Sequence, residues 1–103
     1  MNDVIKDKLI KTASKSPCRF KVSAVAFSKK GNILGWSYCN HGIESNGGSI
    51  HAERYLMSKY GRAIHTILIT RINKSGKILP IEPCNVCQKV ADKMGITIKT
   101  VEE

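Results

Sequence analysis

The chain has 103 residues, 42% of them apolar, and 17 Lys and Arg against 8 Asp and Glu leave a formal charge of +9. That length suits a single domain, residues 1–103, and the apolar content excludes a disordered chain. No run approaches the roughly 20 apolar residues that span a bilayer, and the charged start Met1 to Lys11 lacks the apolar stretch of a secretory leader. The expectation is a cytoplasmic protein with no membrane partner, whose four cysteines stay reduced and serve as ligands, nucleophiles or core filler. The positive balance favours anionic partners such as nucleotides or nucleic acid, or simply solubility.

The first predicted element is a helix over residues 2–14, where Ile5, Leu9 and Ala13 recur every four residues. Ser16-Pro17 ends it, because the residue before a proline avoids the helical region. Phe20 to Phe27 reads as a strand with Val22, Ala24 and Ala26 on one face and Val25 and Phe27 on the other, the pattern of a strand covered on both sides. Lys29 to Asn32 forms a turn into a second strand, Ile33 to Cys39, which completes a hairpin. Asn40 to Gly48 reads as a loop. A second helix is expected from about Ile50 to Tyr60, with Ser49 as its N-cap and Gly61 as its stop.

Ile64 to Ile72 is a β-branched strand apolar on both faces, Asn73 to Gly76 a turn, and Ile78-Leu79 a short extended piece. A third helix runs from Cys84 to Met94 with Val86, Val90 and Met94 as its buried stripe and Gly95 as its cap; Ile96 to Val101 is a final strand. The order α-β-β-α-β-α-β predicts an α/β fold of three layers, α-β-α, around a mixed sheet of four to five strands.

Two motifs carry chemistry. His51-Ala52-Glu53 opens the second helix, and Pro83-Cys84-Asn85-Val86-Cys87 opens the third. Brought together, they offer one imidazole and two thiolates to a zinc ion, with Cys84 and Cys87 on one helical face. Helix N-termini favour the thiolate form. Three protein ligands leave the fourth tetrahedral position open to water, which zinc acidifies, and Glu53 is placed to shuttle protons between that water and a substrate nitrogen.

H-x-E together with P-C-x-x-C is the signature of zinc-dependent nucleobase deaminases. On His51-Ala52-Glu53-Arg54, Glu82-Pro83-Cys84-Asn85-Val86-Cys87 and the element order around them, the chain resembles the cytidine/deoxycytidylate deaminase superfamily from Pro17 to Val101. The resemblance implies a cytidine-deaminase-like fold, Zn2+ held by His51, Cys84 and Cys87, and Glu53 as catalytic proton shuttle. It also implies that the Ala52 backbone N–H binds the pyrimidine carbonyl, that Asn40 contacts sugar or base, and that Phe20 packs on the base. Phe20 falls in Ser16-Pro17-Cys18-Arg19-Phe20-Lys21-Val22, which is similar to the S-P-Y-x-x-F-x-V stretch of free-nucleoside enzymes. Arg54 would donate to the zinc thiolates, whose two charges otherwise cancel those of the ion. Free-nucleoside members usually carry Cys where His51 stands. His is typical of deoxycytidylate, guanine and tRNA-adenosine deaminases and of enzymes acting on polynucleotide cytosine. The segment Arg71 to Ile81 is longer than usual in the family, and the chain stops after its fourth strand.

The residues leave alternatives open. Cys18 or Cys39 could supply a fourth ligand and close a purely structural zinc site, but Glu53 would then be unexplained; both cysteines also read as buried filler. His65, in an apolar strand start, reads as structural, whereas His41 follows Asn40 at a pocket rim. Trp36 and Tyr38 could stack a base but strand aromatics are usually core. Lys6, Lys8, Lys11 and Lys15 form a solvated helix face, and Arg19, Lys21, Arg71, Lys74 and Lys77 flank the expected site on loops, where they could bind a phosphate or a strand backbone.

Three functions therefore compete. The first is hydrolysis of a cytosine base in a small-molecule nucleoside or nucleotide to uracil and ammonia. The second is deamination of cytosine or adenine in single-stranded DNA or RNA, favoured by the charge and His51 but short of a second aromatic platform. The third is a non-catalytic, zinc-stabilised nucleic-acid-binding module. A homo-oligomer, dimer or tetramer, is expected because so short a chain buries a modest core and its last strand reads as an edge.

Overall fold

The computed structural model describes residues 3–16, 21–38, 40–41, 49–50, 52–81 and 85–101, and at 40–41, 49–50 and 85–86 the backbone alone. Helix α1 (Asp3–Ser14) leads into the hairpin β1 (Lys21–Phe27) and β2 (Ile33–Tyr38). Two short strands follow, β3 (Asn40–His41) and β4 (Ser49–Ile50), and then α2 (Ala52–Tyr60), which ends in a 3-10 turn over Gly61–Ala63. Strand β5 (Thr66–Ile72), strand β6 (Ile78–Leu79), helix α3 (Asn85–Met94) and strand β7 (Thr97–Thr100) complete the order.

The main sheet has five strands and is mixed. Strand β1 runs antiparallel to β2 on one side and to β5 on the other. The far edge of β5 is shared: β6 pairs antiparallel with its end and β7 pairs parallel with its start. This is the expected α/β architecture, with Ile78-Leu79 supplying the fifth strand.

Strand alternation places two cores on the two faces of the sheet. Under α1, Leu9 and Ala13 pack with Val25, Ile72, Ile78 and Val101, and Phe27, Trp36 and Leu68 border them. Under α2 and α3, Ala24 and Ala26 pack with Ala52, Leu56, Ile67, Ile69, Cys87 and Ala91, and Val22 borders them. The two-faced reading of β1 is therefore borne out residue by residue. Burying Leu56, Ile67 or Ile69 contributes about 1.5–3 kcal/mol each. A register shift between Ala26 and Phe27 marks a bulge at Leu34 of β2, which pairs with neither, and Leu34 packs on the α2 face although Trp36, two residues on, faces α1.

The turns follow side-chain chemistry. Asn73 Oδ1 accepts from the N–H groups of Ser75 and Lys77, both at 2.9 Å, and Gly76 takes φ +84°, so the β5–β6 turn closes where the sequence placed it. Helix α3 ends on Gly95 at φ +72°, and the Ile96 N–H donates to the Ala91 carbonyl at 2.8 Å.

Four expectations are corrected. Ser49 does not cap α2: it lies in β4, paired with His41, and the helix begins at Ala52. The stretch from Asn40 is not wholly loop, because β3 and β4 form their own antiparallel ladder, and a ladder is invisible to local propensity. Strand β5 starts at Thr66, since the chain leaving Gly61 needs one more turn to reach the sheet. On α3, among the described side chains, Cys87 and Ala91 are fully buried, with Val90 and Met94 at the border, and the Val86 side chain lies outside the described residues. The small pair faces the core because α3 packs closely on α2.

Helix α2 also lies close to the sheet. A Cβ on Gly35 would come within 2.7 Å of Tyr60 Cε2, so the last residue of the helix rests directly on a glycine of β2. We expect Gly35→Val to lower stability by about 1–3 kcal/mol, the cost of overpacking, measured as a urea-midpoint shift against wild type. An unchanged midpoint would show that the ring is free to move aside.

Candidate active site

Two helix starts define the site. Helix α2 begins beyond the C-terminal end of β2, and the contact is direct: Ser37 Oγ donates to the Ala52 carbonyl at 2.6 Å, with both residues buried. Helix α3 begins after β5 and β6, and Ala52 and Leu56 of α2 belong to the same buried cluster as Cys87 and Ala91 of α3, so the two helices share one core on this face of the sheet. Crevices at strand C-termini beside helix N-termini are where open α/β sheets bind ligands.

Glu53 sits in the first turn of α2 with only 3% of its surface exposed. Among the described residues it is the one charged side chain in the buried set. A buried carboxylate is costly unless its surroundings compensate, and the positive end of the helix dipole is one such compensation. Cys87, 1% exposed, lies in the first turn of α3 and is not part of a disulfide. A thiol there gains from the same dipole when it ionises.

The expected site residues divide as follows. Ala52 and Glu53 lie in the first turn of α2 and Cys87 in the first turn of α3, and Ala52 and Cys87 belong to one buried cluster. Arg54 occupies the same turn as Glu53 with its side chain exposed. Asn40 and His41 lie on β3, paired in register with Ile50 and Ser49, immediately before α2 in the chain. Phe20, His51 and Cys84 fall outside the described residues, as do Cys18, Arg19 and Cys39. Among the described residues no group of three His, Cys, Asp or Glu is placed to hold a metal ion.

Other groups find structural roles. Trp36 faces α1, with the Lys8 ammonium 4.7 Å from its ring centroid, and Tyr38 shares that face by alternation, away from the helix starts. The Lys21 ammonium donates to the Ser16 carbonyl at 2.7 Å. His65 is exposed, and its backbone joins strands: its N–H donates to Phe27 and its carbonyl accepts from Thr97. Ser37 was missed by the sequence reading. A lone serine in an apolar strand carries no signal of the helix it anchors.

The architecture is thus a three-layer α/β protein with a buried acid and a buried thiol in the first turns of two helices that share one core. The family described as the cytidine and deoxycytidylate deaminase zinc-binding region matches residues 3–101. The chain belongs to that family.

Solved structures share the fold. The cytidine deaminase of Mycobacterium leprae has a TM-score of 0.64 and 18% identity over 95% of this chain and 86% of its own. The cytidine deaminase of Mycobacterium tuberculosis gives 0.62 and 18% over 97% and 83%. The dCMP deaminase of cyanophage S-TIM5, in its apo form, gives 0.59 and 23% over 97% and 86%. No curated protein matches the chain in sequence. No helix among the described residues is long and apolar enough to cross a membrane.

Proposed function

We propose that this chain hydrolyses the exocyclic amine of a cytosine base, carried by a nucleoside or nucleotide, to give the uracil base and ammonia. The observation that carries the reading is Glu53, a carboxylate buried in the first turn of α2, a helix that shares its core with α3, in a member of the deaminase family.

The donor set suits zinc. The Cys87 thiol is buried in the core that α2 and α3 share, His51 adjoins Ala52 in the chain, and Cys84 stands three residues before Cys87 in the sequence. His51, Cys84 and Cys87 would hold the ion, and bound there it supplies an acidified water as nucleophile. Glu53 takes a proton from the attacking water, delivers it to ring N3, and returns a proton to the departing amine; the C4–N bond breaks and C4 keeps the water oxygen. The Ala52 N–H, unused at a helix start, is free of the helix ladder to bind the base carbonyl. Phe20 and Asn40 would hold base and sugar, and Arg54 the thiolates.

A nucleotide substrate accords with the net charge of +9 and with the S-TIM5 dCMP deaminase, solved in complex with dCMP and dUMP. The same charge favours a second reading, a cytosine or adenine in single-stranded DNA or RNA. An assembly of several copies belongs to the first reading, since β7 leaves one strand edge without a partner among the described residues.

The test is ammonia release from cytidine, deoxycytidine, their mono- and triphosphates, guanine, adenosine and single-stranded oligonucleotides. We expect turnover of a free cytosine nucleoside or nucleotide. Turnover of oligonucleotides alone, lost steeply with salt, would transfer the conclusion to the second reading, and ammonia from none would remove the enzyme.

A further inference from the structure

We propose that Ser37 is a positioning residue: its hydroxyl sets the rotation and height of the first turn of α2, and through that turn the direction from which Glu53 meets the substrate. The proposal rests on the deaminase reading above.

Ser37 lies on β2, in register with Ala24, on the face that α2 covers. Its Oγ donates to the Ala52 carbonyl at 2.6 Å, and Ser37 and Ala52 are both buried. As a helix residue Ala52 already offers its carbonyl to the N–H four residues on. The serine bond is therefore additional to the ladder, and its specific effect is to tie the helix to the sheet at the residue next to Glu53. At the other end of α2 the attachment is different: the Tyr60 ring rests on Gly35 without a hydrogen bond to it. A ring on a glycine fixes distance but leaves the helix free to rotate; a directional bond at the first turn does not.

The magnitude decides that this matters. Side-chain atoms lie about 5–6 Å from a helix axis, so a rotation of about 10° carries a carboxylate about 1 Å. A displacement of about 1 Å at a reacting group costs on the order of a hundredfold in rate.

The fold supplies its own control. Ser23 Oγ donates to the Leu9 carbonyl, also at 2.6 Å and also buried, and ties α1 to the opposite face of the sheet. It is the same chemistry at a helix that carries none of the proposed site.

The experiment compares Ser37→Ala, Ser37→Cys and Ser37→Thr with Ser23→Ala in the zinc-loaded protein. Three readouts are taken: kcat and KM, Zn2+ affinity by chelator competition, and amide exchange of the α2 first turn by mass spectrometry. Ala and Cys, which lack a strong hydroxyl donor, should lower kcat about 10- to 100-fold with KM within a fewfold, weaken Zn2+ binding and speed exchange in that turn. Thr should restore all three. Ser23→Ala should speed exchange in α1 and leave kcat and Zn2+ affinity unchanged.

Equal kcat in wild type and Ser37→Ala, or an equal loss in Ser23→Ala, would overturn the proposal. If the wild type released ammonia from nothing, the deaminase reading alone would fail. Exchange and Zn2+ affinity would still report whether Ser37 holds the turn, and no change in either would overturn the positioning role as well.

Discussion

Glu53→Gln is expected to abolish nearly all ammonia release, by about 10²- to 10⁴-fold in kcat, while the protein stays folded and keeps its zinc. The amide matches the carboxylate in size and still fits a site only 3% exposed. It cannot take a proton from water or return one to a leaving amine. The measurement is kcat on the best substrate of the panel, alongside metal content and far-ultraviolet circular dichroism. A variant with wild-type turnover would take Glu53 out of the chemistry. A variant that lost its zinc would make it part of the metal site.

Removal of the metal, or of one ligand, should produce the second large effect. Cys87→Ala is expected to purify without stoichiometric zinc and without activity. Stripping wild type with a chelator should bring it to the same state, and added Zn2+ should restore wild type but not the variant. Stability should fall with the metal, because a ligand that binds only the folded state stabilises it by mass action. At a hundredfold excess over the dissociation constant that is about 2.7 kcal/mol, or about 10–20 °C in Tm for a chain of this size. Two thermal scans, with and without chelator, read it directly. An unchanged Tm in wild type, or full zinc in Cys87→Ala, would show that Cys87 is a core thiol packed against Ala52 and Ala91 and nothing more.

Much of the fold was legible because its elements are set locally. The four-residue recurrence of Ile5, Leu9 and Ala13 marks α1, and the opposed triplets of β1 mark a strand buried on both faces. Asn73, Gly76 and Gly95 mark their turns by side-chain hydrogen bonding and positive φ. The misread stretch lies where local signals conflict with distant ones. Ser49 is a good cap by composition, yet its backbone pairs with His41 across the chain. A strand of two residues has too little periodicity to announce itself.

The candidate site shows the same division. His51, Glu53, Cys84 and Cys87 stand out by spacing, because ligand and proton-transfer chemistry requires those residue types one helical turn or less apart. Sequence alone could not say that Trp36 and Tyr38 face α1 rather than the site, since a bulge beside Ala26 redirects the strand that carries them.

Composition, periodicity and the two motifs were therefore sufficient to indicate the helices, the main strands and the family. Only the tertiary structure decided which helix packs on which face of the sheet, that β5 serves as the shared partner of β1, β6 and β7, and that a buried hydroxyl on β2 ties down the turn bearing Glu53. The reason is physical. Helical and turn preferences act over a few residues of chain, whereas strand pairing and helix-to-sheet hydrogen bonds join groups far apart in sequence, and no local pattern records their partner.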